Sequence, residues 1–542
     1  MRFLSIYLCL TLLSGCYQAE SSLTDSLIYC TDEAPSSFNP QISHDVASLD
    51  ATTHQLYNRL VKIDPISQHF IADVATHWSV SADKMAYTFY LRQDINFHHN
   101  DYFTPSRKLN ADDVIYSFQR LLSKKHPFHN VNISKQAQTY LYPQPFSNLV
   151  RQIIKIDDHT IRFVLNKPSV TLLANLAAHY AVIHSKEYAL TLLKSGQAEK
   201  IDSHPIGTGP YQFKQNSNRQ LIRYQAHKYP WQTPVNINNL IFDITPNSTK
   251  RYAKLLSGEC DIITNPASSQ VHQISKNHHI TLSIQPTTNV ALIAFNTQKP
   301  YLNNAVIRNA LTQAIDMKNI LDAVFFDTAT VTHSLLAESS WAYNPRIPKA
   351  DFNPQQSRFL LKQSNFDFSK TLRILTPIKN SIFNPHFYKT AELIQSNLAD
   401  IGVISKIIQL RHVELQLALT EGEYDLYLTG ISPYTNDPDN LFRPLLNCNA
   451  NALAGNSSQW CDNKMQRLLD DTLLEVNFIQ RVKNYYQLQE DIQAQKIYIP
   501  IAHLLRFDVS NKNISKLQIN PLTGINFHHV KKVAPLIKEA DL

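Results

Sequence analysis

Twenty-two histidines are the residues of this 542-residue chain that could most readily do chemistry, since imidazole binds metals and carries protons near neutrality. Their spacing argues against both uses. The adjacent pairs His98/His99, His278/His279 and His528/His529 point to opposite sides of an extended backbone. Neither they nor His126/His129 have the H-E-x-x-H spacing that puts two imidazoles on one helical face. Nucleophile elbows, P-loops and G-x-G-x-x-G turns are also absent, and 10 glycines leave little material for them. The 44 acidic residues supply carboxylates, but sequence alone does not place two of them across a glycosidic bond. These observations predict neither an enzyme nor a metal or cofactor site.

Cysteine is the other reactive type, and the start of the chain decides how to read it. Arg2, the largely apolar run Phe3 to Leu12 and then Leu13-Ser14-Gly15-Cys16 form an export leader, residues 1–15. The run is too short for the roughly 20 residues that span a bilayer. Its end resembles the lipobox of bacterial lipoproteins, which makes Cys16 the lipidated residue and 16–27 a tether. Cys9 leaves with the leader, so Cys30, Cys260, Cys448 and Cys461 remain. In an oxidising compartment four cysteines imply two disulfides, for which three pairings exist. Zinc is the weaker reading, because no C-x2-C pair is present.

The elements that would position such residues come from composition and periodicity. Residues are 43% hydrophobic and 10% aromatic, which excludes a disordered chain and suits two to four lobes. The net charge of +7 is spread without arginine clusters, so no nucleic-acid surface is expected. A helix should start at Asn110, with Asp112 and Asp113 in its first turn and Val114, Ile115, Phe118, Leu121 and Leu122 as its apolar stripe. Ala86–Leu91 and Thr160–Leu165 read as strands. A second helix carries Ala391, Ile394, Leu398 and Ile401 and ends at Gly402, followed by strands over Val403–Leu410 and Tyr424–Thr429. Helix–glycine–strand alternation of this kind predicts α/β lobes with partly parallel sheets.

Several stretches together resemble the family-5 extracellular solute-binding proteins, the receptors of oligopeptide and dipeptide ABC importers. They are Ile28-Tyr29-Cys30 with Phe38-Asn39-Pro40-Gln41, Leu56-Tyr57-Asn58-Arg59-Leu60, and the turn Pro205-Ile206-Gly207-Thr208-Gly209-Pro210-Tyr211. Ala294-Phe295-Asn296 and Asp437-Pro438-Asp439-Asn440 continue the match. The runs Phe103 to Val114, His129 to Asn132, Asp437 to Cys448 and Trp460-Cys461-Asp462 are similar to the Sap peptide-transport branch, whose members have an ordinary cleavable signal where this chain has a lipobox-like end to its leader. The resemblance implies a type II periplasmic-binding-protein fold of the three-lobed kind (cluster C). Lobe I would comprise 28–57, 209–286 and 505–542, with lobe II at 58–208 and lobe III at 287–504. It also implies disulfides Cys30–Cys260 and Cys448–Cys461. A peptide, or haem, would be captured by a monomer in the periplasm, lipid-anchored here, and passed to inner-membrane permease subunits.

The resemblance places ligand contacts at His44, Asp45 and Val46 of lobe I and at Gly430, Ile431, Ser432, Pro433 and Tyr434 of lobe III. Here the chain departs from the dipeptide-binding pattern. The aspartate that holds a ligand ammonium falls at Tyr434, and the arginine that holds the carboxylate falls at Ser381, with Lys379 two residues away. An aromatic position on the strand before Gly430 falls at His412, and the usual tryptophan after Gly430 is Ile431. A buried ammonium without its carboxylate loses several kcal/mol, so a tight receptor for free dipeptides is not expected. The departures fit longer peptides with termini near solvent, or haem.

Overall fold

The computed structural model describes residues 25–43, 45–64, 67–131, 144–217, 220–349, 351–379, 381 and 383–533. The leader, Cys16 and His44 lie outside them. Among the described residues, the largest sheet has eleven strands and runs through two of the three lobes. Its path, edge to edge, is Ser405–Leu410, Leu372–Pro377, Leu426–Ile431, Ile280–Phe295, Tyr498–Asn511, Ile262–Thr264, Ser26–Thr31, Asn239–Ile244, Leu221–Ala226 and Tyr211–Ser217. Ala329–Val331 pairs with Tyr498–Asn511 off that path.

Two strands of 16 and 14 residues, Ile280–Phe295 and Tyr498–Asn511, cross between the lobes as an antiparallel pair. Ile280 to Pro286 lie opposite Asn511 to Leu505, and the register then slips before Val290 meets His503. Proline lacks the N–H that a continuous ladder needs, so a break at Pro286 follows from the sequence. On one side of this break the pair joins Ile262–Thr264, and on the other it joins Leu426–Ile431.

Lobe III takes the half of the sheet in which Leu372–Pro377 runs parallel to both Ser405–Leu410 and Leu426–Ile431. Ala391, Ile394 and Leu398 of helix Phe387–Asp400 bury onto Ile374 and Leu428, the stripe its spacing predicts, and Gly402 takes φ +85° beyond the helix end. Strand Ser405–Leu410 starts two residues later than the periodicity suggests, and strand Leu426–Ile431 is shifted by the same amount.

Lobe II has its own core around Phe89, Phe118, Phe163 and Leu176, over a four-stranded antiparallel sheet. Ala86–Leu91 and Thr160–Leu165 are strands with the expected bounds. Helix Ala111–Leu122 is fixed by a capping box: Asn110 accepts from Asp112, and the Asp113 carboxylate accepts from the Asn110 N–H. The Gly207-Thr208-Gly209 turn crosses the Gln55-Leu56 segment. A β-carbon at Gly207 would lie 1.9 Å from the Leu56 carbonyl oxygen, and one at Gly209 would lie 2.5 Å from that of Gln55. Only glycine lets the two crossing segments touch, and they do so through Gly209 N–H to Leu56 O and Tyr211 N–H to Gln55 O, each 2.9 Å. Cys30 is bonded to Cys260 and Cys448 to Cys461.

Candidate functional site

The carboxyl ends of Leu372–Pro377, Ser405–Leu410 and Leu426–Ile431 lie along one edge of lobe III, because parallel strands finish together. In open α/β sheets that edge is where ligands bind, since the loops leaving it are free of ladder bonds. Three segments leave it here: the loop through Lys379 and Ser381, the Arg411 turn, and the loop from Ile431 to Asp437. Gly430 and Ile431 are the last ladder residues and pair with Ala291 and Val290, directly beyond the register break. The edge and the hinge are therefore continuous.

The loop after Gly430 is held in shape from behind. Asp437 is buried and paired with Arg481 at 2.8 and 2.9 Å, and the Tyr485 hydroxyl donates to the same carboxylate at 3.3 Å. Burial by itself lowers the Arg481 pKa, and the Asp437 carboxylate more than reverses it. Asp439 is buried and its carboxyl is pushed up by desolvation, which Arg443 opposes from 3.0 Å. Asn440 accepts from the Tyr434 N–H, and Trp341 donates to the Asn436 carbonyl at 3.1 Å. The Asp437-Pro438-Asp439-Asn440 motif is thus a brace for the loop and makes its charges unavailable to a ligand.

The residues expected at the site fall into distinct environments. Asp45 caps helix Val46–Thr52 and accepts from Ser48 N, Ser48 Oγ and Ser36 Oγ at 2.8, 2.8 and 2.5 Å, so its carboxylate is already engaged. Val46 is half-buried in the first turn of that helix. Lys379 is exposed. Ser432 Oγ donates to Asn289 Oδ1 at 2.5 Å, which ties the lobe III loop to the hinge, and Pro433 is buried beside it. His412 corrects the expectation of a strand position. The strand stops at Leu410, and His412 opens helix His412–Glu421, exposed, because the Glu414 carboxylate accepts from the Arg411 N–H and starts the helix there.

Tyr434 is the position with the longest reach. It leaves lobe III and packs against the core of lobe II, its ring 6.2 Å from that of His179 at 67° and close enough to Tyr180 to raise that phenol's pKa further beyond the effect of burial. Val170 N–H to Leu473 O, 3.0 Å, is a hydrogen bond between the same two lobes.

Sequence reasoning missed three residues at this edge. Phe383 lies on the backbone of Gly430, held by a Ser381–Asn384 turn with N–H to carbonyl bonds of 3.1 and 3.2 Å. His179 meets Tyr434, and Asn289 meets Ser432. None carries a local signal, because each partner is distant in sequence. Of the histidines singled out at the start, His98 is buried, accepting from Gly207 N–H at Nδ1 and donating from Nε2 to Gly209 O at 3.0 Å. Among the described residues no group of three His, Cys, Asp or Glu side chains gathers as a metal site.

Comparison with known proteins fits this geometry. Residues 69–452 match the model of the bacterial extracellular solute-binding proteins, family 5 Middle. The peptide transport periplasmic protein SapA of Salmonella typhimurium is 34% identical over 515 residues, 95% of this chain and 93% of its own. Heme-binding protein A of Haemophilus influenzae is 36% identical over 90% of this chain and 89% of its own. A Pseudoalteromonas dipeptide binding protein solved with Met-Leu superposes with a TM-score of 0.79 at 35% identity, covering 94% of this chain and 100% of its own. The chain belongs to the family-5 extracellular solute-binding proteins.

Proposed function

We propose that this protein is the substrate-capturing subunit of an ABC importer, taking peptides in the periplasm and handing them to membrane permease subunits. One observation carries the reading: the strand ends that present Gly430 to Tyr434 adjoin a register break in the two strands linking lobes I and III. A break there lets the lobes open and close by rotating about Pro286 to Asn289 without unpairing the rest of the ladder. Lobe boundaries near 286 and 504 then fall inside continuous strands, as a hinge requires. The peptide reading draws support from SapA and the Met-Leu complex, and the haem alternative from heme-binding protein A.

The contact residues in this reading are His44, Asp45 and Val46 from lobe I and Lys379, His412 and Gly430 to Tyr434 from lobe III. Because Asp45 is engaged as a helix cap and position 434 is tyrosine, the site favours peptides longer than two residues, whose ammonium stays near water. The protein acts without turnover, as a monomer, tethered by lipid at Cys16. Native mass spectrometry of the mature protein tests this. A spread of co-purifying peptide masses is the expected result, and one mass equal to haem would move the assignment to haem capture. Mass analysis of the mature N-terminus shows whether Cys16 is acylated.

A further inference from the structure

Away from the cleft, lobe III carries a small recess, partly open to solvent, with a volume of about 40 Å³. Its walls include Thr312, Thr332, His333, Gln493, Lys496 and the start of a hinge strand at Tyr498 to Pro500. No carboxylate lines it among the described residues. Lys496 is half-buried, and burial pushes its ammonium pKa down without any acidic group acting against that shift. His333 is pushed down by burial first and then by the positive charges of Lys349 and Lys496, which places three cationic or protonatable groups in one neighbourhood. Lys349 is brought close by the bond from Gln493 Nε2 to the Pro348 carbonyl, 3.1 Å.

The ordinary reason for a lysine at this place is the negative end of helix Phe478–Gln495. That end is already served. Arg308 donates to the Gln495 carbonyl from Nε at 2.9 Å and from Nη2 at 2.5 Å, and the Ile492 carbonyl accepts from the Lys496 N–H. Lys496 therefore lines a concave space that no carboxylate lines among the described residues, where field lines focus and an anion gains more than at an open surface.

We propose that this cavity binds a small monovalent anion of halide size, held by the Lys496 ammonium and the His333 ring. The volume admits an ion of halide size. Tyr498 and Pro500 pair with Ala294 and Leu292, next to the second register irregularity of the hinge pair. The anion therefore reinforces lobe III at the root of the hinge.

The test uses the mature protein in sodium chloride and in sodium gluconate at equal ionic strength. Chloride should raise the unfolding midpoint by roughly 1–3 °C over gluconate when it is in excess over its Kd. Lys496→Met, which keeps the stem and removes the charge, should abolish the difference. Crystals of the wild type soaked in bromide should show an anomalous peak between Lys496 and His333. Equal midpoints in the two salts, a difference that survives in Lys496→Met, or a bromide-soaked crystal with no peak at this cavity would each overturn the assignment. Should Lys496→Met fail to fold, the bromide peak in the wild type decides alone.

Discussion

The Phe383 side chain sits so close to the Gly430 backbone that a β-carbon at 430 would lie 2.3 Å from Phe383 Cγ and 2.4 Å from its Cβ. The loop after Leu372–Pro377 is therefore seated on the end of the neighbouring strand through a contact that only glycine permits. Gly430→Ala should push Phe383 away and cost about 1–3 kcal/mol, as overpacking does. Most of that cost should vanish in Phe383→Ala/Gly430→Ala, because the obstructing ring is gone. Urea unfolding of the two single variants and the double variant measures the coupling, and strictly additive losses would refute the contact.

Behind the same edge, Arg481 neutralises the buried Asp437 carboxylate. Its side chain is 9% exposed and that of Asp437 is 8% exposed. Arg481→Met should destabilise by about 3–5 kcal/mol, since it leaves Asp437 buried and uncompensated. Asp437→Asn in the same chain should restore part of this loss, and ligand affinity should follow stability, because the pair shapes the Ile431 to Asp437 loop. Thermal unfolding of both variants checks the order.

How far these features could be read from sequence depends on the range of the interaction that sets them. The helix from Asn110 was legible because its capping box spans four residues, and Phe387–Asp400 because its buried stripe repeats every turn and ends in a left-handed glycine. The disulfide pairs were legible through family resemblance and are the ones formed. His412 was misread because Glu414 starts a helix where strand periodicity could equally run on. The engagement of Asp45 by Ser36, the seat of Phe383 on Gly430 and the reach of Tyr434 to His179 depend on residues brought together only by the fold. None of these pairs has the spacing of a helical turn or a strand repeat, so periodicity does not reveal them.

Buried neutral histidines give the protein an acid limit. Burial is the main cause that pushes His227 down to about 4, His126 to about 4 and His184 to about 3. Unfolded histidine titrates near 6.5. Between that value and the folded pKa the unfolded chain binds protons that the native sites refuse, so stability is complete above about pH 6.5 and falls as the pH drops. His227 packs edge-on to His98 with ring centroids 4.8 Å apart. His227→Gln should flatten the loss by roughly 1 kcal/mol per pH unit between pH 6 and 5. Urea titrations across that range read the slope, and an unchanged slope would show that His227 is already charged in the native state.

Tyr434 separates the two ligand classes. Tyr434→Asp places a carboxylate on the loop between lobes II and III and should raise affinity for a free dipeptide by about tenfold or more, while weakening the ring contact with His179. Calorimetry with one dipeptide in its free and N-acetylated forms resolves the effect, because only the free form carries the ammonium. Equal gains for both forms would mean that position 434 does not meet the ligand terminus.

The last prediction concerns the hinge itself. Asn289 occupies the register break and is held there by the lobe III side of it: its Oδ1 accepts from Ser432, and its carbonyl lies 3.1 Å from His503 Nδ1. The other ring nitrogen of His503 lies 3.1 Å from the Ser334 carbonyl, so this buried imidazole bridges the break and the loop after Ala329–Val331. Asn289→Ala removes the side-chain bond while leaving the carbonyl bond in place. A single hydrogen bond of this kind contributes about 0.5–1.5 kcal/mol, too little to unfold a lobe but enough to shift an open–closed equilibrium several-fold. Asn289→Ala should therefore leave the unfolding midpoint nearly unchanged and lower ligand affinity several-fold, with the loss expressed in faster release. Spin-label distances between lobes I and III should show a larger open population in the absence of ligand. An unchanged distance distribution together with unchanged release would place the pivot elsewhere in the Ile280–Phe295 and Tyr498–Asn511 pair.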